Sequence, residues 1–97
     1  IDIIAYRERT LVFVEVKTRQ SGSALNWSPA EAVDLIKQER MCRLAHTFML
    51  SHQRKIRRKR IRNYRFDIIT VVYGKAAVGR GRKFDVQHIT AAFDWGR

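Results

Sequence analysis

Acidic residues, cysteine and long apolar runs are what this sequence has least of. A single cysteine, Cys42, in 97 residues excludes an internal disulfide and a multi-cysteine zinc site, and suits a reducing, cytoplasmic compartment. No apolar run approaches the roughly 20 residues that cross a bilayer, so no membrane-spanning helix is expected. There is no signal-peptide pattern, and because residue 1 is Ile the chain reads as starting part-way into a gene product. Nine Asp and Glu stand against 20 Lys and Arg, for a net charge of +11. That excess repels itself in a folded chain, so a polyanionic partner is expected. Nucleic acid comes first. An anionic membrane surface fits less well, because the basic residues lack the apolar helix face that membrane-lying segments carry. Hydrophobic residues make up 45%, too many for a disordered chain, and the length suits one domain over residues 1–97.

Residues 1–6 (IDIIAY) and 10–17 (TLVFVEVK) are rich in β-branched and apolar side chains, with a short polar link between them. They read as a β-hairpin. In the second run Val12, Val14 and Val16 alternate with Leu11, Phe13, Glu15 and Lys17, so the strand is apolar on both faces, as a central, covered strand should be. Ser28, Pro29 and Glu31 form a helix start with a capping box. Val33, Ile36, Met41, Leu44, Ala45 and Phe48 follow at helical spacing, predicting a long amphipathic helix to about residue 50. Residues 64–73 (YRFDIITVVY) and 83–89 predict two further strands, joined by a Gly-containing loop, and residues 90–95 a terminal turn or short helix. The order β-β-α-β-β implies an α/β fold with a mixed sheet, a helix on one face and at least one parallel crossover.

A two-residue turn at Glu8 and Arg9 would pair Arg7 with Thr10. Counting back along both strands then sets Asp2 opposite Glu15. Lys17, two residues beyond Glu15, falls on the same face. Two carboxylates at this distance repel unless a cation or proton separates them. A hard divalent cation, Mg²⁺ or Mn²⁺, prefers such oxygens and leaves positions for water and phosphate, and a neighbouring ammonium stabilises charge on phosphate oxygens. The set suits phosphodiester hydrolysis.

Asp2-Ile3-Ile4-Ala5 followed by Val12-Phe13-Val14-Glu15-Val16-Lys17-Thr18-Arg19 resembles the core of the PD-(D/E)xK nuclease superfamily. IDIIA, LVFVEVKTR, SPAEAV and RFDIITV, in that order, resemble more narrowly the YraN-like family of uncharacterised bacterial proteins, of the UPF0102 type. The resemblance implies a restriction-endonuclease-like core similar to Holliday-junction resolvases, and a metal-dependent endonuclease acting on DNA more than on RNA. It implies Asp2 and Glu15 as metal ligands, assisted by the backbone carbonyl of Val16, and Lys17 as the catalytic lysine. It also implies an N-terminal helix and a Gly-Glu pair ahead of the first strand, both upstream of Ile1. Symmetric cutting of a junction would favour a homodimer. The alternative is a non-catalytic nucleic-acid-binding module that keeps the nuclease fold.

Residues 53–65 carry Arg54, Lys55, Arg57, Arg58, Lys59, Arg60, Arg62 and Arg65 with no acid among them. They read as a basic, flexible loop for backbone phosphates, with Arg19 contributing from the hairpin. Lys37 and Gln38 are candidate supporting residues, because related nucleases sometimes use a helix residue at this place. Glu31 is a weaker candidate, since its capping role explains it. Asp67 reads as a hydrogen-bonded structural residue. His46, His52 and His88 lack ligand spacing and are not assigned to metal.

Overall fold

The computed structural model describes residues 1–20, 34–75 and 82–94. Strands β1 (Ile3–Arg7) and β2 (Thr10–Gln20) form the hairpin. Arg7 pairs with Thr10 and the ladder runs to Ile3 opposite Val14, which is the register that a two-residue turn dictates. Both turn residues adopt positive φ, 49° at Glu8 and 63° at Arg9, as a type I′ turn requires. Neither is Gly or Asn, so each bears a steric cost of roughly 1–2 kcal/mol. Glu8→Asn combined with Arg9→Gly should therefore stabilise the protein by about 1–2 kcal/mol. Thermal unfolding followed by circular dichroism checks this, and an unchanged or lowered midpoint refutes it.

Helix α1 (Leu35–Ser51) and a second helix, α2 (Gln53–Arg58), lie in the crossover from β2 to β3 (Asn63–Lys75), and β4 (Arg82–Phe93) returns antiparallel. The sheet order is β1-β2-β3-β4, with β2 and β3 parallel. Paired residues share a face, so Leu11, Phe13, Glu15 and Lys17 lie with Tyr64, Phe66, Ile68 and Thr70. Phe13, Phe66 and Ile68 are buried on that face against Met41 and Ala45 of α1. The Phe13 ring meets Phe48 edge-on at 5.9 Å and Phe66 at 5.6 Å. Val12, Val14 and Asp67 occupy the opposite face and are buried too, as expected of central strands. No helix among the described residues is long and apolar enough to cross a membrane.

Three elements differ from the sequence expectation. Helix α1 starts at Leu35, because Asp34 has an extended backbone (φ −75°, ψ 175°) and its carboxylate accepts from the Lys37 N–H at 2.9 Å as the N-cap. Residues 28–33, including the capping-box candidate Glu31, lie outside the described residues. The basic run, expected as a loop, opens with α2. Ile56 packs against the core cluster, His52 stacks on Phe48 at 4.0 Å between the two helices, and the cations of α2's last turn suit its dipole. Residues 90–93, expected as a turn or helix, finish β4, where Phe93 stacks on Phe66 at 4.8 Å.

Candidate functional site

Glu15 stands on the α1 face at the middle of β2, level with Ile68 of β3. Its side chain is 14% exposed. Two ammonium groups approach the same oxygen: Lys17 Nζ from its own strand and Lys37 Nζ from the first turn of α1, each 3.8 Å from Oε2. The Asp34 cap fixes Lys37, because it holds the Lys37 N–H and so sets where the first turn of α1 meets the sheet. Gln38, the next residue along α1, is half-buried.

Asp2, just ahead of β1, reaches the same stretch of β2 by another route. Its N–H donates to Val14 O at 2.9 Å, although Val14 already pairs with Ile3. The chain thus leaves the regular ladder at Asp2. Its carboxylate then accepts from the Val16 N–H at 2.8 Å, where a ladder carbonyl would otherwise sit. Asp2, Val16 and Glu15 are neighbours where β1 begins alongside the middle of β2, but the Asp2 side chain caps the backbone where plain cross-strand opposition to Glu15 was expected. Carboxylate oxygens suit a hard divalent cation. Among the described residues no group of three or more His, Cys, Asp or Glu side chains could hold a metal, so the protein's side-chain donors here number two.

The cations of residues 54–65 divide into two kinds. Arg54, Lys55, Arg57 and Arg58 are exposed on α2, and Arg60 and Arg62 are exposed in the link to β3. Lys59 instead lies over the Tyr6 ring, 4.6 Å from its centroid, and donates to the Tyr6 hydroxyl at 3.3 Å. Arg65 is turned inward: its Nε donates to both oxygens of Asp67, at 3.1 and 3.3 Å. Arg19 is half-buried on β2, level with Val72, and is engaged within the protein.

Asp67 is the most enclosed carboxylate described, with 0% side-chain exposure. Besides Arg65 it accepts from His88 Nε2 at 2.7 Å and from the Ala91 N–H at 2.9 Å. Burial pushes its carboxyl up, but the hydrogen bonds from Ala91, His88 and Arg65 outweigh burial and hold it below the ordinary value. The structural role expected of Asp67 is what these bonds describe. Its partner His88 was not legible, because β4's register departs from regularity at this point.

The sequence profile of an uncharacterised protein family, UPF0102, matches residues 1–71. The chain belongs to the UPF0102 family. It is 40% identical over 94 residues to a UPF0102 protein of Prosthecochloris aestuarii, covering 96% of this chain and 68% of that one. With a UPF0102 protein of Myxococcus xanthus the identity is 36% over 97 residues, or 99% of this chain and 66% of the relative. A UPF0102 protein of Alkaliphilus metalliredigens is 48% identical over 77 residues, covering 77% and 60%. The chain thus spans about two thirds of the length of the curated relatives it matches. No solved structure matches it. The span matched by the UPF0102 profile includes Asp2, Glu15, Lys17, Lys37, α2 and Asp67, and stops before β4.

Proposed function

We propose that this UPF0102 protein is a metal-dependent endonuclease of the PD-(D/E)xK type that hydrolyses phosphodiester bonds in DNA, with a restriction-endonuclease-like core and a cytoplasmic site of action. The observation that carries the reading is the convergence of Glu15, Lys17 and Lys37 beside the Asp2–Val16 bond, midway along a central strand. Asp2, Glu15 and the Val16 carbonyl would hold Mg²⁺ or Mn²⁺, which supplies an activated water and neutralises charge at the scissile phosphate. Lys17 donates to phosphate oxygens as negative charge grows on them. Lys37, anchored on α1, holds the Glu15 carboxylate in place. The exposed cations of α2 grip backbone phosphates irrespective of sequence.

A second reading, a nucleic-acid-binding module without catalysis, has its own support. Lys17 and Lys37 already offer Glu15 two cationic partners, so the cluster is electrostatically complete as an ion-pair network. The full-length protein should cleave duplex, single-stranded or junction DNA in the presence of Mg²⁺ or Mn²⁺. Glu15→Ala and Lys17→Ala should each lower the rate by at least roughly 10²-fold while binding persists. Absence of cleavage on all three substrates, together with no heat of Mg²⁺ binding in calorimetry, would select the binding module.

A further inference from the structure

The densest polar constellation in the described chain is not at Glu15 but on the other face of the sheet. We propose that Arg65 and His88 form a binding pair for a single phosphate group, with the buried Asp67 as the residue that positions both. This pair is separate from the Glu15 cluster and stands whether or not that cluster hydrolyses DNA.

The placement follows from register. Asp67 is level with Val14, Arg65 with Val12, and His88 with Ile69. All of these belong to the sheet face opposite Phe13 and Phe66, the face away from α1. Arg65 sits two residues before Asp67 on the same strand, and His88 reaches the carboxylate from β4.

The backbone is distorted to build the arrangement. Phe66 pairs with Phe93 and Ile68 with Ile89, so β4 carries two more residues than β3 across this step. In that bulge Ala91 has φ 51°, a left-handed conformation costing a residue with a Cβ roughly 1–2 kcal/mol. The distortion points the Ala91 N–H at Asp67. Strain kept where several polar groups meet is a mark of a site.

The donors held in this way are only partly used. A guanidinium has five N–H groups, and Arg65 commits its Nε–H alone to the carboxylate. Its two terminal nitrogens have no partner among the described residues, and the side chain is 34% exposed. Because Asp67 is held ionised, His88 must carry a hydrogen on Nε2 to donate to it. That leaves Nδ1 without a partner among the described residues, on a ring that is 49% exposed. Arg65, fixed through Nε, and His88, fixed through Nε2, are held by one carboxylate, and a planar guanidinium fork is the donor type that phosphate oxygens take in pairs. The fork donates to two phosphate oxygens. Nδ1 accepts from a P–OH, or donates to a P–O⁻ when the ring carries its second hydrogen. Asp67 and Arg65 cancel each other's charge, so the attraction comes from directed hydrogen bonds and from the +11 background.

Imidazole resonances of His88 in the full-length protein provide the test. They should shift saturably on titration with inorganic phosphate, with a 5′-phosphorylated DNA oligonucleotide, or with both. The same oligonucleotide without its 5′-phosphate separates a terminal phosphate from the phosphodiester backbone as the source. Arg65→Gln should weaken the response at least tenfold. Arg65→Lys, which keeps a cation beside Asp67, should keep the fold and still lose most of the affinity, because the fork is gone. A saturable shift abolished by either variant upholds the site. No saturable shift with any of the three ligands, or equal affinity in wild type and both variants, overturns it.

Discussion

Asp67→Ala is expected to destabilise the fold by about 2–4 kcal/mol, set below the roughly 3–5 kcal/mol for removing one partner of a fully buried charge pair because Arg65 is one-third exposed. The reason is the number of groups that one carboxylate satisfies. Without it the Ala91 N–H loses its partner inside the β4 bulge, and the guanidinium and imidazole lose theirs. A chain of this length has a total stability of roughly 5–15 kcal/mol. The loss is therefore a large fraction, visible as a fall in melting temperature on the order of 10–25 °C.

Asp67→Asn separates charge from shape. The amide oxygen can keep Ala91 and Arg65, and His88 can move its hydrogen to Nδ1 to accept from the amide, so the cost falls to about 1–2 kcal/mol. The two variants also differ from wild type in acid. The folded carboxyl lies below the ordinary value of 3.8, so its ionised form stabilises the native state fully above that value. This contribution fades as pH drops through the lower, folded value. Wild type should thus lose stability below about pH 4 more steeply than Asp67→Asn, which has no such proton to take up. Parallel acid-unfolding slopes in the two proteins, or a melting temperature unchanged in Asp67→Ala, would refute the assignment.

The sequence was most legible where few conformations were available. The polar link Arg7 to Arg9 between two β-branched runs is too short for anything but a tight turn, and the register expected of a two-residue turn is the one found, Ile3 to Arg7 against Thr10 to Val14. Alternation in β2 gave both buried faces, and the long helix between β2 and β3 gave the parallel pair. What was not legible depended on tertiary partners. Eight cations in residues 54–65 read as loop, because charge outweighed the single apolar anchor, Ile56, that packs α2 against the core. The helix start at Asp34 was not legible, because the capping signal read at Ser28 lies ahead of it in the chain and drew the start there. Asp2 was expected opposite Glu15 by counting, but a ladder that ends at Ile3 leaves its side chain to cap Val16. His88 became visible as a partner only through the two-residue shift in β4, which no periodicity announces.

The partition of the basic run makes a quantitative expectation for nucleic-acid binding, conditional on the function proposed above. Each phosphate neutralised by a cation contributes roughly −0.9 to the slope of log affinity against log salt for duplex DNA. Arg54, Lys55, Arg57 and Arg58 are exposed on α2 and all are available to a duplex. Replacing these four by Gln should flatten the slope by roughly 3–4 units, and binding near physiological salt should weaken by orders of magnitude. Lys59 is bonded to Tyr6, so Lys59→Gln should flatten the slope by well under one unit. A reading of the run by charge count alone treats all of these cations as equivalent, and so predicts the same loss per residue everywhere. Fluorescence anisotropy with a short duplex across a salt series distinguishes the two. An equal effect at Lys59 would mean that its Tyr6 partner gives way on binding, and an unchanged slope in the α2 variant would remove that helix from the interface.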